Sequence, residues 1–112
     1  MQRKGDDVHN TNPGEELNFH GRPNETDSET YGHNYGYPSC VSIYDASVVK
    51  DYPGEAKTGL QMTGDHMNGT TDEQCRDERT APRITFGSHL APLDIQFLGD
   101  GSAALIAFHG SW

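Results

Sequence analysis

The stretch "APLDIQFLGDGSAALIAFHG", residues 91–110, constrains this chain more than any other. Leu93, Ile95 and Phe97 alternate with Asp94 and Gln96, and after Gly-Asp-Gly the run from Ala103 to Phe108 is small and apolar. A period of two places one set of side chains on one face of a strand, and a Gly-rich turn between two such runs predicts a β-hairpin. The first strand reads as having one wet face, and the second as buried on both. A lone hairpin is marginal in water and leaves strand edges unpaired, so the rest of the chain has to supply partners.

The rest offers little material for them. Of 112 residues, 13 are Gly and 6 are Pro, only 32% are hydrophobic, and mean hydropathy is −0.80, which predicts short strands and long loops. Residues 1–30 carry only Val8, Leu17 and Phe19 as sizeable apolar groups and read as an extended loop with one short strand around Leu17 to Phe19. "CVSIYDASVVKDYP" suits a strand broken by Pro53. Residues 54–82 show no sustained 3.6 period and read as one long loop pinned midway by Cys75. A loop of that length signals function or an excursion from a larger scaffold. The chain also stops at Trp112 directly after a strand, so it reads as cut from something larger, and alone it is expected to unfold with weak cooperativity and to associate.

A formal charge of −9, from 17 acidic and 8 basic residues, argues against a phosphate-binding surface, so nucleic acid and anionic membrane are excluded as expected partners. No run approaches the roughly 20 apolar residues that span a bilayer, and "MQRKGDDVHN" has no signal-peptide core, which alone would suggest the cytosol. Two features point the other way. Asn24 in "NET" and Asn68 in "NGT" are N-glycosylation sequons. Cys40 and Cys75 lack the C-x-x-C spacing of zinc or redox sites, leaving either a disulfide, worth about 4 kcal/mol by chain entropy, or two buried thiols.

The six histidines, at 9, 20, 33, 66, 89 and 109, show no zinc-type helical spacing, and each defaults to a loop position. His89 and His109 stand apart because they flank the hairpin, whose antiparallel strands bring its two ends to one rim. With Trp112 they could wall a pocket that combines a titratable base and an aromatic surface. Glu15 and Glu16 are adjacent and would point oppositely on a strand, a poor general acid–base pair. The acidic N-terminal loop lacks the D-x-D-x-D-G spacing of a calcium loop.

Three blocks in order, "NPGEELNFHGRP" (12–23), "YGHNYGYPSC" (31–40) and "HLAPLDIQF" running into "FHGSW" (89–112), resemble the fungal quinoprotein pyranose and sorbosone dehydrogenases, relatives of the soluble glucose dehydrogenases. The resemblance implies an all-β fold, a six-bladed propeller of which residues 1–112 are a fragment of about two blades with long loops. It implies pyrroloquinoline quinone and calcium as cofactors, a sugar substrate, an external electron acceptor and secretion, and it makes a Cys40–Cys75 disulfide consistent with an oxidising compartment. It assigns His89 as the base that takes the sugar hydroxyl proton, His109 and Trp112 to the cofactor side of the pocket, and Tyr35 and Tyr37 to packing between blades. The calcium-holding carbonyls of the family lie upstream of the E-L-N block, and its quinone-gripping cations have no clear counterpart among Arg3, Arg22, Arg76, Arg79 and Arg83, so the resemblance implies an incomplete cofactor site. The alternative is a non-catalytic secreted module that keeps the scaffold without the cofactor.

Overall fold

The computed structural model describes residues 2–3, 6–65 and 68–110. Among the described residues eight short strands pair antiparallel into four two-stranded sheets: β1 (Gln2–Arg3) with β2 (Asp6–Asp7), β3 (Glu15–Leu17) with β6 (Ile84–Phe86), β4 (Cys40–Ser42) with β5 (Gln61–Thr63), and β7 (Pro92–Phe97) with β8 (Ala104–Phe108). The regular structure is mostly sheet, in keeping with the all-β expectation. The hairpin falls where the alternation put it, with Ile95 opposite Ile106 and Phe97 opposite Ala104 and a register shift between Pro92 and Asp94. The short N-terminal strand also forms, at Glu15–Leu17, two residues earlier than expected.

Two expectations need correction. Residues 54–82 are not one loop: they contain β5 and a helix, α1 (Asp72–Glu78). The helix has no apolar stripe and is fixed instead by its N-terminal cap and its ties to the sheet. Thr71 accepts from the Gln74 backbone N–H at 3.2 Å and the Gln74 side chain accepts from the Thr71 N–H at 3.0 Å, a reciprocal capping box. The strand proposed through "CVSIYDASVV" is cut to Cys40–Ser42, since Asp45 caps a 3₁₀ turn at Ala46–Val48 by accepting from Ser47 N at 2.9 Å.

The core is small. Ile43, Tyr52 and Met62 are buried, with Val41, Ala46, Val49, Ala56 and Leu60 packed around them. Polar ties supplement it: buried Asn12 donates to Asp45 O at 3.1 Å and accepts from Tyr44 N at 2.8 Å, fastening the N-terminal segment to the strand region 33 residues away. Cys40 and Cys75 form a disulfide with both residues buried, which joins β4 to α1 across 35 positions. The two-thiol alternative is thereby removed.

Beside the disulfide, Asp72 is 4% exposed and accepts from both Thr63 N and Thr63 Oγ1 at 2.9 Å. Asp72→Ala strands a buried N–H and is expected to cost about 1.5–3 kcal/mol, whereas Asp72→Asn keeps an acceptor and should cost much less. Denaturant titration of both variants checks this, and equal losses would remove the hydrogen-bond explanation.

The hairpin itself is not buried as read. Every residue of β7 is exposed, Leu93 at 68% and Phe97 at 63%, and in β8 only Ile106 and Phe108 are half-buried. Its contact with the rest runs along one side, where the Phe108 ring meets Phe86 edge-on at 5.2 Å. An apolar run records what a strand can bury, and among the described residues no element lies across the other face. The molecule is correspondingly flat, 46 × 37 × 23 Å, with a radius of gyration of 14.9 Å against about 13 Å for a compact chain of this length. Its only α-helix among the described residues has seven residues, too few to cross a membrane.

Candidate functional site

The two ends of the hairpin are locked together by the backbone. His109 N donates to Ala91 O and Gly110 N to Leu90 O, each at 3.0 Å, so His89 and His109 share one rim as the strand pairing requires. Two non-glycine residues here adopt left-handed backbone, His89 at φ 63° and Ala91 at φ 48°. Histidine visits this region more readily than most residues, and the turn it makes aims the imidazole back toward the N-terminal segment.

His89 Nε2 donates to the carbonyl of His9. A carbonyl can only accept, so the neutral ring carries its proton on Nε2 and its basic lone pair on Nδ1. The rings of His9 and His89 lie edge to face at 5.8 Å. His9 is in turn held by Asp7, which accepts from the His9 backbone N–H at 3.1 Å and from His9 Nδ1 at 3.2 Å. These bonds, the backbone one foremost, hold the exposed Asp7 carboxyl below the usual carboxylate range. Ser88 Oγ donates to Pro13 O at 2.6 Å and Ala91 N to Glu15 Oε1 at 3.3 Å, completing the tie between the rim and β3.

The rim therefore gathers His89, His109, His9 and Glu15. His109 is exposed, and its Nδ1 makes a long 3.4 Å approach to Gly110 O. His9 was not singled out from the sequence, and no local signal could have done so, because it reaches His89 across 80 positions. Trp112, the third expected member, and His66 lie outside the described residues. His20 and His33 sit elsewhere, against Tyr35 and Thr80. Tyr37 is 86% exposed, whereas Tyr35 donates to Phe19 O and packs on His20 at 4.5 Å.

The adjacent carboxylates point apart, as expected for a strand. Glu16 accepts from Ser42 N at 3.0 Å and from Asn18 Nδ2 at 3.2 Å on the opposite side from Glu15. Burial pushes the Glu16 carboxyl above its ordinary value, against the lowering effect of both hydrogen bonds. The folded state thus holds a proton the unfolded chain has released, and stability from this group falls as pH rises through the folded pKa. Glu16→Gln should be free of that slope. Its unfolding midpoint relative to wild type is expected to rise between pH 4 and pH 7, and a constant difference would contradict the assignment.

Among the described residues no group of three or more His, Cys, Asp or Glu side chains is placed to hold a metal ion. Most cations are already engaged: Arg22 with Glu25, Lys50 with Asp6, Lys57 with Glu55, Arg76 with Asp77 and Arg79 with Glu78.

Fold and site together define a sheet-built, disulfide-stapled unit that presents loop-borne imidazoles at a hairpin rim. The TrAA12-like family profile matches residues 1–112, and the chain belongs to that family. It is 43% identical over 112 residues to a pyrroloquinoline quinone-dependent sugar dehydrogenase of Hypocrea jecorina, covering 99% of this chain. Among solved structures, a calcium structure of a Trichoderma reesei carbohydrate-active enzyme of family AA12 superposes with a TM-score of 0.89 at 43% identity, over 99% of this chain and 27% of that one. The holo form of the pyranose dehydrogenase PQQ domain from Coprinopsis cinerea superposes with a TM-score of 0.75 at 32% identity, over 94% and 24%. The chain spans 25% of the length of the curated dehydrogenase it matches.

Proposed function

We propose that this chain is part of a quinone- and calcium-dependent dehydrogenase that oxidises pyranose or sorbosone-like sugars, and that it contributes about two blades of a six-bladed propeller together with the histidine rim of the sugar pocket. The observation that carries the reading is the 43% identity over an alignment that covers 99% of this chain. His89 is the proposed base, taking a sugar hydroxyl proton at Nδ1 while the His9 carbonyl fixes its tautomer. His109, and Trp112 beyond the described residues, are proposed for the cofactor side.

Among the described residues no group of three or more His, Cys, Asp or Glu side chains is placed to hold a metal ion, and a ligand carrying three carboxylates would find Arg22, Lys50, Lys57, Arg76 and Arg79 already paired, with Arg83, unlike these, without a carboxylate. The grip on the cofactor is assigned to the rest of the full-length protein, and this 112-residue piece is expected to be inactive alone. The exposed apolar face of the hairpin is assigned to packing there.

The test is reconstitution of the full-length protein with pyrroloquinoline quinone and calcium, followed by dye reduction with a panel of pyranoses and sorbosone-like sugars. Turnover is expected; absence of both turnover and bound quinone would sink the reading and leave a non-catalytic module. Secretion is supported by the Cys40–Cys75 disulfide. Asn24 and Asn68 are exposed and able to carry glycans, so enzymatic deglycosylation of secreted protein is expected to lower its mass, and an unchanged mass would refute modification at both.

A further inference from the structure

At the other end of the β3–β6 sheet from His89, beyond the Leu17–Ile84 pair, a cavity of about 210 Å³ opens between Phe19, Thr30, Tyr35, Thr80 and Arg83. Its walls are tied in place. Arg83 N donates to Leu17 O and Thr80 N to Asn34 O, each at 2.8 Å; Thr80 Oγ1 meets His33 Nδ1 at 3.1 Å; and Tyr35 is held by Phe19 O and the His20 ring. One feature of this lining calls for a ligand. The Arg83 guanidinium lies 4.7 Å over the Phe19 ring and pairs with no carboxylate among the described residues, unlike Arg22, Lys50, Lys57, Arg76 and Arg79. Stacking holds its planar fork of donors in one orientation, the geometry that grips a carboxylate with two hydrogen bonds.

We infer that this cavity is a binding subsite for a sugar carboxylate, a uronate unit either free or at the end of an acidic oligosaccharide. The volume falls below the about 300–1,000 Å³ typical of drug-sized ligand sites, which suits one small ring. A single guanidinium matches one negative charge, whereas a phosphate dianion would leave charge uncompensated in a chain of net charge −9. Thr80 supplies a hydroxyl to meet those of the ring, and the aromatic walls of Phe19 and Tyr35 supply its apolar face. The inference goes beyond the dehydrogenase reading and does not depend on it, because the cavity and His89 occupy opposite ends of one sheet.

The test is calorimetric titration of the full-length protein with sodium glucuronate, glucose, acetate and inorganic phosphate, with and without bound quinone. Glucuronate is expected to bind in the millimolar range, at least tenfold tighter than the other three and equally in both quinone states. Arg83→Gln should weaken it at least tenfold without changing sugar turnover, and Phe19→Leu, which removes the ring under the guanidinium, at least threefold, which keeps the test available should R83Q not fold. Glucose, acetate or phosphate binding as tightly as glucuronate, affinity unchanged in both variants, or displacement of glucuronate by quinone would each overturn the proposal.

Discussion

Replacing His89 by alanine in the full-length, quinone-loaded protein is expected to lower sugar turnover by about 10²–10⁴-fold while quinone uptake stays near wild type. The backbone makes the choice of substitution matter. His89 sits at φ 63°, where an alanine costs about 1–2 kcal/mol of strain, so H89A disturbs the rim as well as removing the base. Asparagine tolerates the left-handed region and has no comparable basic nitrogen, so His89→Asn isolates the chemistry. Both variants are expected to lose turnover together. Loss in H89A with normal turnover in H89N would make the residue a structural turn, and normal turnover in both would take the base role away from it.

Removing the disulfide is the second large effect. Cys40 and Cys75 close a loop over 35 positions, for which the chain-entropy model gives about 4 kcal/mol, against total stabilities of about 5–15 kcal/mol for ordinary domains. The paired substitution Cys40→Ala with Cys75→Ala is therefore expected to lower the unfolding midpoint strongly, as is reduction. The loss should concentrate where the bond acts: α1 has no apolar stripe and is joined to the sheet by this bridge and by the Asp72–Thr63 hydrogen bonds. Hydrogen exchange should show residues 72–78 deprotected before β7 and β8. A midpoint change equivalent to less than about 1 kcal/mol would show that the small core and polar ties suffice without the bridge.

Much of the local structure was legible because its causes are local. Alternation at Leu93, Ile95 and Phe97 and the Gly-Asp-Gly turn specify a hairpin wherever they occur, and two adjacent glutamates on a strand must diverge. The helix at Asp72–Glu78 was legible too, in a different signal from the one sought: it lies in the pair Thr71 and Gln74, and not in apolar spacing. Burial of the hairpin could not be read in the same way, since exposure of Leu93 and Leu105 depends on which other elements lie across them.

By itself the sequence determined the strand-rich class, the hairpin and its rim with His89 and His109, and the motif blocks by which the family is recognised, all set by neighbours within a few positions. Only the tertiary structure decided that Cys40 meets Cys75, that His9 holds the ring of His89 across 80 positions, and that Arg83 rests on Phe19. The physical reason is the same for all three. Each contact joins groups whose separation along the chain carries no period, so only the packing of the intervening loops sets the distance between them.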